Sequence, residues 1–283
     1  MNENVLSRFR LDGSVVVITG GAGKLGVQHS EAILEAGGIP VLLDIDMKKI
    51  DVACDRLKKG HPDSKVHGVQ CDITKPEEVQ KARDDIRENL GDVEVLINNA
   101  ANNPHVTDMQ SVKSGHHWSQ FEAFPLNIWE KDIAVCLTGA FLCSQIFGND
   151  MAQKNKGVIL NIASDLSVIA PDQRLYKDSK RSDKEQVVKP VGYSVVKSGL
   201  IGLTKYLSTY WAHAGVRVNA LSFGGIYSSD LDPVFVSRLE SLIPLARMAK
   251  MDEYKAAVLF MISDASCYMT GQNMIVDGGR SVW

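Results

Sequence analysis

The 283-residue sequence predicts an α/β fold. It is read as one doubly wound domain over residues 1–283, with a mostly parallel central sheet flanked by helices. Three observations predict it. Short β-branched apolar runs alternate with amphipathic segments over nearly the whole chain. The first run ends in a glycine-rich loop that leads into a helical pattern. No internal repeat, low-complexity tract or linker-like stretch divides the sequence.

The elements follow in order. Residues 15–18 form a strand that ends in Thr19-Gly20-Gly21-Ala22-Gly23-Lys24-Leu25-Gly26, and residues 27–36 form a helix closed by Gly37-Gly38. A second strand, 39–43, ends at Asp44, which completes a βαβ unit. Residues 48–59 read as a helix, and 66–70 as a strand ended by Cys71-Asp72. A helix over 76–90 takes Thr74 as its N-cap and Pro76 in its first turn. A buried strand over 93–97 ends in Asn98-Asn99-Ala100. Later strands are expected at 157–162, 216–221 and 273–276, and helices at 129–149, 191–213 and 252–263. Two segments break the rhythm, a loop near 101–127 and a charged loop near 165–190. Both leave the carboxyl ends of strands, where open α/β sheets bind ligands, and loops of that length are commonly functional.

Composition narrows the function. Lys plus Arg number 31 and Asp plus Glu 34, a net charge of −3, so no basic excess points to nucleic acid. The five cysteines are odd in number and contain no C-x-x-C pair, which argues against disulfides and a thiolate zinc site and for a reducing compartment. The N-terminus lacks the apolar core of a secretory signal, and no uncharged apolar run has the length of a membrane span. A cytoplasmic protein without membrane or nucleic-acid partners is expected. His116-His117 has no third ligand at sensible spacing, so no metal site is expected. Cys136 and Cys143 lie seven apart on a helix and read as core or interface residues.

The glycine loop points to a dinucleotide. Gly21-x-Gly23-x-x-Gly26 matches the general fingerprint, and Thr19-Gly20 with Gly26 a looser spacing of the same chemistry. Glycines let the backbone approach a pyrophosphate, and the following helix offers free N–H groups and its positive dipole end. Asp44 lies 18 positions past Gly26 and suits the adenosine ribose hydroxyls. A carboxylate there repels a 2′-phosphate, which favours NAD over NADP, although Lys24 is a counterweight. Tyr193-x-x-x-Lys197 falls in a helical pattern, so phenol and ammonium share a face. A nearby cation lowers a phenol's pKa, which suits a general acid/base. Ser164 ends an apolar strand.

Taken together these stretches resemble the short-chain dehydrogenase/reductase family. The match runs from Leu11 to Gly279 through Thr19–Gly26, Cys71-Asp72-Ile73, Asn98-Asn99-Ala100-Ala101, Asn161-Ile162-Ala163-Ser164, Tyr193–Lys197, Arg217-Val218-Asn219-Ala220 and Val276-Asp277-Gly278-Gly279. The resemblance implies a Rossmann fold with Ser164, Tyr193 and Lys197 catalytic. Ser164 would hydrogen-bond the substrate oxygen, Tyr193 exchange its proton, and Lys197 lower the phenol pKa and bind the nicotinamide ribose. It implies a cofactor site formed by Gly20, Gly23, Lys24, Leu25, Gly26, Asp44, Cys71, Asp72, Ile73, Asn98, Ala100, Tyr193, Lys197, Gly225 and Ile226. Asp72 would lie beside the adenine, Asn98 near the adenosine ribose, and Gly225 and Ile226 against the carboxamide. It also implies a homo-tetramer or dimer. The sequence departs from the family at Lys24 and Ala101, where glycines are usual, at Cys136, where an asparagine is usual, and at Phe223, where a proline is usual. Cys136 puts the water-linked proton relay in question, since a thiol is only weakly polar.

Ser164 and Tyr193 lie 29 positions apart, longer than is usual in the family. The stretches 168–176 and 189–197 resemble bacterial oxidoreductases of flagellin-glycosylation and nonulosonic-acid pathways, the flagellin modification protein A type. Asp172, Gln173, Arg174 and Tyr176 suit a polyhydroxylated or phosphorylated ligand, and Trp118 suits stacking on a sugar face. The expected reaction moves hydride between NAD and a secondary alcohol or ketone on a sugar or sugar nucleotide. A 3-oxoacyl-carrier-protein reductase, a gluconate-type dehydrogenase and a non-catalytic dinucleotide-binding scaffold stand as alternatives.

Overall fold

Among the described residues seven strands form one sheet in the order β3-β2-β1-β4-β5-β6-β7. They are β1 Val15–Thr19, β2 Ile39–Asp44, β3 His67–Gln70, β4 Val93–Asn98, β5 Gly157–Ile162, β6 Val216–Phe223 and β7 Asn273–Val276. Every pairing is parallel. The fold is the α/β Rossmann type that the sequence predicts. This computed structural model describes residues 4–102 and 116–283. Residues 103–115, the middle of the expected 101–127 loop with His105, lie outside the described residues.

The helices are α1 Lys24–Glu35, α2 Met47–Gly60, α3 Pro76–Leu90, α4 Leu126–Asp132, α5 Gly139–Gln153, α6 Val191–Tyr210, α7 Pro233–Glu240 and α8 Lys255–Ile262. Alternation along β1 explains how they cover both faces. Val15 and Val17 pack with Val79, Ile86, Phe147 and Trp211 of α3, α5 and the end of α6. Val16 and Ile18 point the other way, to Ile33 of α1 and to Val258 and Met261 of α8. β1 is therefore apolar on both sides.

Several boundaries differ from expectation. Helix α1 begins at Lys24 rather than at 27, because the glycine loop itself turns into the helix. Thr74 does not cap α3: Lys75 is the N-cap residue, and the Thr74 hydroxyl instead donates to Asp72 Oδ1 at 2.7 Å. The expected helix 129–149 runs from Leu126 to Gln153, with a π-helical stretch Ile133–Thr138 joining α4 to α5. That continuous helix is apolar and long enough to cross a membrane by composition, but half of its apolar window is buried inside the fold. Helix α7 lies outside the expected elements; Asp232 caps it by accepting from the N–H groups of Val234 and Phe235. The 165–190 loop is a chain of short 3-10 turns, at Asp165–Ser167, Gln173–Tyr176 and Asp183–Glu185.

Candidate active site

Parallel pairing sends the carboxyl ends of all seven strands to one edge, and the order reverses between β1 and β4. The crevice at such a reversal is where this architecture binds ligands. Around it the loops after β1 and β4 are clamped together. The Thr19 hydroxyl oxygen accepts from the N–H groups of Asn99 and Ala100, each at 3.0 Å. In return Asn99 Nδ2 donates to the carbonyls of Thr19 and Gly20, at 3.0 and 3.2 Å.

The glycine loop has the shape the fingerprint implies. Gly20 adopts φ +61°, a region that disfavours side chains. A Cβ on Gly26 would stand 2.5 Å from the Gly20 carbonyl oxygen, so α1 presses on the loop only because position 26 lacks one. The N-cap of α1, Gly23, offers no side chain to the first turn. The N–H groups of Lys24, Leu25 and Gly26 thus have no intrahelical acceptor and, with the helix dipole, fit a pyrophosphate. Asp44 sits at the end of β2 with Oδ2 accepting from the Ala22 N–H at 3.3 Å. Loop, helix end and carboxylate therefore fit a nicotinamide dinucleotide.

Other expected cofactor residues are placed less directly. The Asp72 carboxylate is half-buried. Burial favours its neutral form, but hydrogen bonds from Thr74 and the Lys75 ammonium outweigh that, and its pKa falls. Cys71 and Ile73 turn their side chains into the core. The Asn98 side chain is buried, with Nδ2 donating to Asn161 Oδ1 at 2.8 Å and Ser144 Oγ at 3.1 Å. It braces the sheet. Asn161 Nδ2 continues the chain to Thr204 Oγ1 at 2.8 Å, fastening α6 to β5.

That fastening positions the catalytic candidates. Ser164, just beyond β5, and Tyr193 and Lys197, one turn apart on α6, line one cleft of about 370 Å³ with Leu25, Gly225 and Ile226. Lys197 is buried and donates from Nζ to the Ile162 carbonyl at 2.7 Å. Burial lowers its pKa, and the neighbouring Cys136 thiol opposes the shift. Burial pushes the Tyr193 phenol up to about 12, with the Ser164 hydroxyl beside it pulling the other way. The Lys197 Nζ lies 5.8 Å from the ring centroid, and loss of hydration is the largest influence on the phenol. Cys136 lies buried in the π-helical stretch, where burial raises its pKa and the Lys197 charge lowers it. Phe223, at the usual proline position, is buried and stacks on Tyr254 at 4.1 Å between centroids, while the Tyr254 hydroxyl donates to the Gly224 carbonyl.

Three charged residues of the cleft escaped the sequence reading: Asp165, Lys189 and Arg280. Asp165 Oδ1 accepts from Ser164 Oγ at 2.8 Å, and Oδ2 from Arg280 Nη1 at 2.6 Å, with both members of that ion pair buried. Two expected substrate contacts fail. Arg174 is exposed and forked onto Asp172, and Trp118 is fully buried against Phe124. Gln173 faces the chain, its Oε1 accepting the Lys189 N–H at 2.8 Å. Tyr176 does reach the cleft, where burial pushes its phenol up to about 12. Among the described residues no His, Cys, Asp and Glu cluster is arranged to hold a metal.

Comparison with known proteins agrees with this geometry. The family model for short chain dehydrogenase matches residues 14–236. The chain is 31% identical over 278 residues to the NAD-dependent glycerol dehydrogenase of Listeria innocua, covering 97% of this chain and 96% of that one. It is 31% identical over 300 residues to a ribulose-forming D-arabinitol 2-dehydrogenase of Candida tropicalis, covering 99% and 97%. A solved gluconate 5-dehydrogenase from Burkholderia cenocepacia J2315, in complex with NADP and tartrate, is similar at a TM-score of 0.83 and 26% identity, covering 99% of this chain and 100% of that one. Glycine loop, switch-point crevice and family match meet in one conclusion: this chain belongs to the short-chain dehydrogenase/reductase family and is an NAD(P)-dependent oxidoreductase.

Proposed function

We propose that the enzyme moves hydride between NAD and a secondary alcohol or ketone on a sugar-derived substrate, with Ser164, Tyr193 and Lys197 as catalytic residues. The observation that carries this is their convergence in one cleft that opens onto the glycine-loop crevice. A bound nicotinamide supplies the two-electron chemistry. Ser164 Oγ, which gives its one proton to Asp165 in this structure, would turn that proton to the reacting oxygen when substrate is bound. The phenol of Tyr193, protonated at neutral pH, would give its proton to a ketone oxygen or accept one from an alcohol. Lys197, fixed to the end of β5, would bind the ribose next to the nicotinamide.

The substrate reading is supported by the relatives, whose names refer to glycerol, arabinitol and gluconate. The finer assignment, to a sugar nucleotide of a surface-glycan or nonulosonic-acid pathway, rests on the stretches 168–176 and 189–197. Preference for NAD rests on Asp44 beside the loop. A single working domain is supported by all seven strands sharing one sheet. A cytoplasmic location is supported by five free thiols. Assembly as a homo-tetramer or dimer is supported by the exposed Phe141, Tyr206 and Tyr210 along one groove of α5 and α6.

The test is NAD(H) absorbance with polyols, aldonates, sugar phosphates, sugar nucleotides and acyl thioesters, in wild type and Tyr193→Phe. Turnover of a sugar-class substrate, lost in the variant, is expected. Turnover of thioesters alone would overturn the substrate class, and equal rates in both proteins would remove Tyr193 from the mechanism.

A further inference from the structure

The cleft carries four charged side chains, Asp165, Lys189, Lys197 and Arg280, three of them cationic. Their partners differ. Lys197 is spent on the Ile162 carbonyl, and Arg280 gives Nη1 to Asp165. The remaining donors of the Arg280 guanidinium have no hydrogen-bond partner among the described residues. The Lys189 ammonium has neither a hydrogen bond nor a carboxylate within 4.0 Å among the described residues; its nearest feature is the Tyr193 ring, 3.9 Å from Nζ to the centroid. The nearby carboxylates are taken, Asp165 by Ser164 and Arg280, and Asp132 by Asn102 at 2.7 Å.

The backbone beneath Lys189 is fixed. Its N–H donates to Gln173, and the next residue, Pro190, is the N-cap of α6, one turn before the Tyr193 phenol. A half-buried cation on a rigid stem, in a cleft with surplus positive charge, is costly unless an anion joins it. The cost shows in its pKa, which burial lowers to about 8, with the Lys197 charge adding to the shift and Asp165 and Asp132 opposing it.

We infer that Lys189, with Arg280 across the cleft, receives an anionic group of the substrate, a carboxylate or phosphate on the same polyhydroxylated chain that bears the reacting carbon. This rests on the sugar-directed reading above and narrows it from neutral polyols to sugar acids and sugar phosphates. Lys189 then determines specificity by touching substrate, and its place over the Tyr193 ring brings the anionic end close to the carbon being oxidised or reduced.

The test compares kcat and KM for D-gluconate, D-glucose 6-phosphate and the neutral D-glucitol in wild type, Lys189→Met and Lys189→Arg. Binding of tartrate and inorganic phosphate to the NADH-loaded enzymes, by calorimetry, gives a readout without turnover. Wild type is expected to favour an anionic substrate by about tenfold or more in kcat/KM, roughly one good charge-assisted contact. Lys189→Met should collapse that ratio through KM and weaken the bound anion to match, and Lys189→Arg should restore most of both. The aldonate and sugar phosphate arms show which anion the cleft takes. Preference for D-glucitol, or an unchanged anionic-to-neutral ratio in Lys189→Met, would overturn the inference while leaving a sugar-class oxidoreductase intact. Turnover of none of these three substrates nor of the sugar nucleotides above, with anion binding unaffected by Lys189→Met, would overturn both.

Discussion

Arg280, three residues from the last in the sequence, donates to Asp165 at 2.6 Å, and both side chains are buried. The pair joins the C-terminal segment to the residue that grips the Ser164 hydroxyl. It is a structural bond and a brace for the candidate catalytic oxygen at once.

Removing one partner leaves a buried charge uncompensated. Arg280→Met should lower the unfolding free energy by about 3–5 kcal/mol, measured by urea denaturation. Arg280→Lys should recover part of the loss. Turnover should fall more than cofactor affinity in both, because Asp165 would be free to turn away from Ser164.

The pH dependence follows from the buried phenol. With Tyr193 pushed up to about 12, the group is protonated throughout the neutral range, so it is ready as an acid and poor as a base. Alcohol oxidation, which needs a proton acceptor, should therefore speed up as pH rises above 7, while ketone reduction should not. Rate profiles in both directions test this, and Tyr193→Phe should lose about 10²–10⁴-fold in each.

The proposed preference for NAD makes Asp44 the residue to test. Its carboxylate stands beside the Ala22 N–H, while Lys24, Lys48 and Lys49 line the groove next to that loop. Asp44→Ala removes the repulsion and leaves the lysines. The kcat/KM ratio of NADP to NAD should rise by about tenfold or more, equivalent to about 1.4 kcal/mol. An unchanged ratio would show that Asp44 does not face the 2′ position.

His29 gives an acid-sensitivity that is independent of the active site. It is buried on α1, neither ring nitrogen has a hydrogen-bond partner among the described residues, and burial lowers its pKa to about 4, with Asn99 opposing. The unfolded chain takes the proton near 6.5, so the folded state loses stability as pH falls from 6.5 to about 4, and the loss levels off below that. The full span corresponds to about 3 kcal/mol. His29→Leu should flatten the stability profile over that window, read from denaturation midpoints at pH 7 and pH 4.5.

Much of this protein was legible before any coordinates. The glycine loop, Asp44 and Tyr193-x-x-x-Lys197 are local patterns, because a strand, a turn and one helical turn fix their geometry within a few residues. For the same reason the strands could be placed to within a residue or two. The boundaries that slipped depend on neighbours: Thr74 found Asp72 instead of a helix end, and α4 and α5 fused through a π-helical stretch that no periodicity announces.

Sequence alone determined the family chemistry, since the residues that make it lie close together in the chain or at the ends of strands. Only the tertiary structure decided the electrostatics of the cleft. Arg174 and Trp118 looked suited to substrate but went to solvent and to core, and the cations that line the site proved to be Lys189 and Arg280. The same holds for Tyr193, whose phenol burial makes less acidic. A sequence shows which charges exist, but hydration and pairing depend on which segments pack together, and those distances are set by the folded sheet.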